Sequence, residues 1–289
     1  MAVLLGCLAG AFFGAVNVAV QVGLRRLPDA ELCGLVVALI ALAEVSAVAA
    51  AVVGPGELDL GEIWPFLLIG TIVPGASQIL WVRAIQYAGA SRAAIVMGTS
   101  PLLAALLALA LLDEPFRTPL ALGTLLIVAG GIAIAWERSR PVDFKLFGLL
   151  LALGVAICLA ARDNVVRFAV LDRDPPPLAA ATALIAGACV LLLLHFLVVR
   201  RSDLRVGKIG RAVVPFLPAG LLMGLVYITL VTALDRGRVT VVAPLNGTNA
   251  LWTVLFSALV IRRIEMVGPR LVLAALLVVA GGALIGATR

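Results

Sequence analysis

Ten long apolar runs, separated by short breaks that carry charge, proline or glycine, constrain this chain more than anything else in its sequence. They fall at 3–24, 32–53, 63–86, 91–112, 119–136, 144–168, 178–199, 212–234, 239–261 and 268–287. A helix needs about 20 apolar residues to cross hydrocarbon, and each run is close to that length. With 63% hydrophobic and 13% charged residues over 289 positions, a soluble core could not enclose so much apolar surface. The runs are rich in Ala and Leu and do not alternate, whereas strands of a membrane barrel are about ten residues long with a period of two. The expected fold is an all-α integral membrane protein with ten transmembrane helices. Its connections are short, the longest being 136–144 and 200–211, so no soluble domain fits between them.

The pattern also comes round twice. Residues 84–135 are replayed by 233–287: Gly98-Thr99 falls on Gly247-Thr248 at an offset of 149, and Ala129-Gly130-Gly131 on Ala280-Gly281-Gly282 at 151. The chain divides on this basis into modules 1–140 and 141–289, each of five helices. Membrane proteins built from two like halves place their sites at the junction between the halves.

Other classes are excluded by what the breaks contain. Cys7, Cys33, Cys158 and Cys189 all lie in apolar runs without CxxC spacing, and one histidine accompanies them, so neither a metal site nor a disulfide framework is expected. No cofactor is implied. Leu4-Leu5-Gly6-Cys7 has the form of a lipoprotein cleavage box but lacks a preceding basic residue, and the first run reads more simply as the first span. The net charge of +6 is a matter of topology: loops on one side, Arg92 among them, hold 14 Lys/Arg, and the other side with both termini holds five. The positive-inside rule then puts the termini outside the cytoplasm. Scattered basic residues without interleaved aromatics argue against a nucleic-acid partner.

Gly6, Gly10 and Gly14 recur every four residues on the first span, and Gly282 and Gly286 on the last, a device that lets a neighbouring helix backbone approach. Such faces permit a monomer or a homodimer. Prolines inside spans are more telling, because each frees a carbonyl that lipid cannot satisfy, which must then face protein or a water-filled cavity. Pro74 breaks the third span, Pro101 the fourth and Pro244 the ninth, while Pro215 and Pro218 open the eighth. Spans three, four, eight and nine are the expected lining of an internal pathway.

Polar side chains fall on the same spans. Pro74, Gln78, Trp81 and Ile85 share a stripe of the third, and offset 149 carries Gln78 onto Tyr227. Asn246, Asn249 and Thr253 share a stripe of the ninth with Trp252 beside it, and the fourth has Thr99 and Ser100 in the equivalent region. Polar groups with aromatic walls, drawn from both halves, describe a small-molecule site near the midplane. Plain interhelical hydrogen bonding is the competing reading for any one of them.

Certain stretches resemble the EamA family of the drug/metabolite transporter superfamily. They are Gly14-Ala15-Val16-Asn17, the segment Ala84 to Ala94 leading into Thr99-Ser100-Pro101-Leu102-Leu103-Ala104, the acidic turn Leu112-Asp113-Glu114-Pro115, and Gly123 with Ala129-Gly130-Gly131. Glu265 and Ala280-Gly281-Gly282 repeat the last two in the second half. The resemblance covers nearly the whole chain. It implies two five-helix repeats of inverted topology around a central cavity lined by helices one, three, four, six, eight and nine. It further implies a secondary transporter, not an enzyme, exporting amino acids or other small metabolites across a bacterial inner membrane by alternating access. The sequence departs from the family where Leu32 to Ala43 lacks an arginine early in the second helix, where Ala250 stands in the place of Pro101, and where the loop between helices two and three is acidic (Glu57, Asp59, Glu62); the resemblance implies cytoplasmic termini, against the charge count.

Within that frame the expected substrate-binding set is Asn17, Gln21, Gln78, Trp81, Thr99, Ser100, Asp163, Tyr227, Asn246, Asn249 and Trp252. Asp163 is the equivalent of Gln21 at offset 142, and it can meet a substrate cation. Ionisable residues inside spans are costly: Glu44 stands in the middle of the second, and Arg162 toward the end of the sixth. They are read as coupling groups or as ends of ion pairs. His195, near the end of the seventh span, reads as an interfacial residue. A lipid-linked carrier or flippase, or a non-transporting partner subunit, would fit the same helices. The expected partners are a small-molecule substrate and membrane lipid.

Overall fold

A computed structural model describes residues 1–53, 60–100, 102–103, 118–135, 145–173, 176–201, 206–236, 242, 245–261 and 268–286. The regular structure of these residues is all helix, with no strand among them. In chain order the elements are α1 (Ala2–Arg26), α2 (Ala30–Val52), α3 (Leu60–Gly70), a π-helical segment (Thr71–Ala76), α4 (Ser77–Ala88), α5 (Ala90–Met97), α6 (Thr118–Ala135), α7 (Phe147–Arg173), α8 (Pro177–Val199), α9 (Val206–Arg236), α10 (Asn249–Val260) and α11 (Pro269–Gly286). Among the described residues five stretches are long and apolar enough to cross a membrane: Ala2–Arg26, Ala30–Val52, Gly61–Ala88, Pro177–Val199 and Lys208–Ala233. Shorter apolar helices cover Phe147–Arg162, Leu245–Val260 and Pro269–Leu284. Large apolar side chains stay exposed along the outside, Leu125, Leu150, Val198, Val214 and Leu259 among them. A surface of that kind suits lipid better than water.

Local chemistry sets the ends and the breaks. Asp29 caps α2, its side chain accepting from the Leu32 amide at 3.0 Å. Pro177 opens α8 at a position where its missing N–H costs nothing. Pro74 does what its position predicted: the third span splits into α3 and α4 around the π-helical segment, with Val73 extended (φ −137°, ψ 110°). Gly89 joins α4 to α5 at φ 92°, in the left-handed region that a side chain would strain, and its amide closes onto the Ile85 carbonyl. So tight a turn leaves no loop for Arg92, which sits in the first turn of α5 at 1% exposure. The charge pattern had placed it among the solvent-facing loop charges. Pro101 and Pro244 lie outside the described residues.

Small residues decide how the helices cross. α1 packs on α9 and along α10, α2 on α9 and α8, α8 on α3, α4 and α5 on α7, and α6 on α11. The Gly6, Gly10, Gly14 face lies on the segment leading into α10: a methyl at Gly10 would come 2.8 Å from the Leu245 carbonyl, and one at Gly14 2.6 Å from Trp252 Cβ. The glycine spacing of the first span is therefore a packing face. At the α6–α11 crossing a methyl on Gly281 would come 2.6 Å from the Gly123 carbonyl, so the paired glycines of the repeat hold the two end helices together. The largest buried cluster joins α1, α2, α4, α8 and α9, with Leu35, Ile85, Ile185, Leu192 and Phe216 fully enclosed.

Candidate functional site

Asn17 is the best-connected polar side chain of the interior. It projects from α1 with no exposure at all, and a buried amide requires partners on both ends. Its Nδ2 donates to Thr253 Oγ1 on α10 at 3.1 Å, and its Oδ1 accepts from Trp81 Nε1 on α4 at 2.9 Å. Thr253 in turn donates to the Asn249 carbonyl at 2.7 Å, closing the chain of bonds. Phe13 walls this cluster, its ring 6.1 Å from that of Trp81. Residues far apart in sequence thus meet at one amide, because the glycines of α1 bring its backbone against α10 one turn earlier.

Around this junction several oxygens lack a donor. Gln21 Oε1 on α1 and Asn249 Oδ1 and Ser257 Oγ on α10 belong to buried residues, and Asn246 Oδ1 is enclosed although its residue is half-buried. Asn249 uses its Nδ2 on the Asn246 carbonyl at 2.9 Å, which leaves its oxygen turned away from that bond. Gln21 follows Asn17 by one turn, and Ser257 follows Thr253 by one turn, so the two stand at the next rung of the same seam. Buried acceptors without donors cost free energy, on the order of 1–3 kcal/mol each, until water or a solute satisfies them.

The other expected residues are dispersed around this seam. Gln78 is buried on the same helix as Trp81, and a methyl on Gly34 of α2 would come 3.3 Å from its Cγ. Thr99 lies half-buried in the turn after α5 and donates to the Val96 carbonyl at 2.7 Å, with Ser100 half-buried beside it. Trp252 is half-buried and stacks on Phe256 at 5.8 Å. Tyr227 is half-buried on α9, with Arg162 of α7 near enough to act on it electrostatically. Asp163 occupies α7, and its side chain is outside the described residues.

Glu44 stands apart from that junction. Its carboxylate lies against Gly224 of α9, where any Cβ would overlap Oε2, and Oε2 is buried without a hydrogen-bond partner. No described residue forms an ion pair with it. By contrast, the charged residues at the start of α2 are fully engaged: Asp29 holds Arg200 at 2.6 Å, while Glu31 meets Arg83, Arg200 (3.4 Å) and His195 (3.2 Å). His195 is thus part of a network tying the ends of α2, α4 and α8. The signal for it was present in the sequence as Asp29 and Glu31 at a helix start and Arg200 at a helix end.

Amides, an indole and hydroxyls can orient a solute by hydrogen bonds. Enclosed by apolar helices with lipid-suited outer faces, they define an integral multi-pass membrane protein with a polar interior. The chain belongs to the EamA-like transporter family, whose profile matches residues 1–136 and again residues 146–287. That makes it a membrane transporter of the drug/metabolite type. A solved crystal structure is similar in fold, with a TM-score of 0.64 and 20% identity, over 98% of this chain and 95% of that one. No curated protein matches the sequence.

Proposed function

We propose that this protein is a secondary transporter that exports small metabolites, amino acids or related amphipathic compounds, across a bacterial inner membrane. Ten transmembrane helices form two five-helix modules, 1–140 and 141–289, in inverted topology around a central cavity, and access alternates as one module moves against the other. The observation that carries this reading is the Asn17 junction, which links α1 and α4 of the first module to α10 of the second. A site that spans both modules is emptied or filled when they move. The unsatisfied oxygens of Gln21, Asn246, Asn249 and Ser257 give a solute with N–H or O–H donors something to bind. The double family match and the apolar outer surface support the rest.

The test is uptake of radiolabelled amino acids into proteoliposomes, comparing wild type with Trp81→Ala, Tyr227→Ala and Asn249→Ala. Losing one interaction of about 1.4 kcal/mol lowers apparent affinity about tenfold, and each variant is expected to show a loss of that order while remaining folded. Wild-type uptake in all three would overturn the assignment.

A further inference from the structure

Two crossings in this bundle share a geometry and differ in chemistry. α2 and α8 are each 23 residues long, and aligning their first residues puts Ile40 on Gly187 and Glu44 on Leu191. Against α9, Ile40 meets Gly220 and Glu44 meets Gly224. Against the third span, Gly187 meets Leu67 and Leu191 meets Gly75, the residue that offset 149 equates with Gly224. Where one crossing seats a leucine on a glycine, the other seats a carboxyl.

Among the described residues nothing near Glu44 suits it to be an anion. Gly224 offers no side chain, and the α9 amides there are spent on the helix itself. Four elements pack on α2: α1, α4, α8 and α9. On α4, Arg83 is engaged with Glu31, and so is His195 on α8; Arg25 and Arg26 lie in the last turn of α1. Among the described side chains the remaining titratable groups of these elements are Cys7, Tyr87, Cys189 and Tyr227, with Lys208, Arg211 and Arg236 toward the ends of α9, and none bonds to Glu44; Asp235, near the end of α9, has its side chain outside the described residues. Glu44 is half-buried with Oε2 enclosed, and a lone carboxylate so placed inside a span is costly, a cost that a bound proton removes.

We propose that Glu44 is a proton-binding site, held as the neutral acid while α2 is closed on Gly224 of α9 and ionising only when that face opens. On opening, the proton passes to entering water and the carboxylate is left hydrated; closing again requires its return. In a transporter that works by helix rearrangement, this ties proton occupancy to the conformation of one face.

Dicyclohexylcarbodiimide, which adds to protonated carboxyls in apolar surroundings, reads the state directly in the wild-type protein by peptide mass mapping. Glu44 is expected to be labelled at neutral pH and Glu31, ionised in its network, not; above the midpoint, labelling of Glu44 falls about tenfold per pH unit. A Glu44 that is unlabelled at neutral and acid pH, or labelled independently of pH, overturns the proposal. Thermal unfolding against pH is the second readout. If the closed state holds a proton that the unfolded chain has released, stability must fall as pH rises. Glu44→Gln is expected to flatten that slope, and a variant that keeps the wild-type slope counts against the site. Neither readout needs a transported solute, so their failure leaves the transporter reading standing, and absence of flux leaves the proton site standing.

Discussion

The α2–α9 and α8–α3 crossings are the most instructive pair of regions in the molecule. Both bring a backbone close by means of glycine, Gly220 and Gly224 in one, Gly70, Gly75 and Gly187 in the other. In the second the approach is tighter: side chains at Gly70 and Gly187 would run into the backbone carbonyls of Leu184 and Leu67. In the first the obstructions are side chains, Ile40 and Glu44. One crossing is therefore closed by backbone against backbone, and the other by groups that can rotate away. That difference makes α8–α3 the tighter of the two crossings and α2–α9 the one that side-chain rotation alone can loosen.

The largest effect should come from filling the tight crossing. Gly187→Leu forces α8 off α3, and a loss of about 3 kcal/mol or more is expected in thermal or denaturant unfolding. Unchanged or raised stability, as leucine for glycine gives at an exposed helix position, would mean that the crossing is loose and that the comparison fails. A smaller effect should come from giving the apolar crossing the chemistry of its mate. Leu191→Glu places a carboxyl against Gly75, at a cost of about 2–3 kcal/mol at alkaline pH that shrinks as the group protonates in acid. A cost that does not vary with pH would show that the two seats differ in more than the side chain they hold.

Much of the scaffold was legible in the sequence because it rests on local rules. Proline removes an amide wherever it stands, so the break at Pro74 could be read from one residue. Glycines spaced by four on a helix form a face in any fold, so Gly6, Gly10 and Gly14 announced a packing surface. The junction was less legible, because its members are brought together by the chain's long-range path: Asn17 meets Trp81 across 64 positions and Thr253 across 236. Nothing in the first span says which of its polar residues becomes that centre. Gln78 shows the limit of stripe reasoning, since residues three apart on a helix point about 60° apart, enough for Trp81 to reach α1 while Gln78 lies close to Gly34 of α2. Arg92 was misplaced for a related reason: the turn at Gly89 is too short to expose it.

The central claim is that the two modules move against one another at the seam between α1 and α10. A disulfide across that seam tests it most directly. Cβ atoms at positions 6 and 245 would stand 3.2 Å apart, within a few tenths of an ångström of disulfide geometry, and neither residue belongs to the proposed site. In a background with Cys7, Cys33, Cys158 and Cys189 replaced, Gly6→Cys with Leu245→Cys is reconstituted, and uptake of labelled amino acids is measured oxidised and reduced. The account predicts that uptake stops when the bridge forms and returns with reductant. Equal uptake by the fully cross-linked and the reduced protein would contradict it.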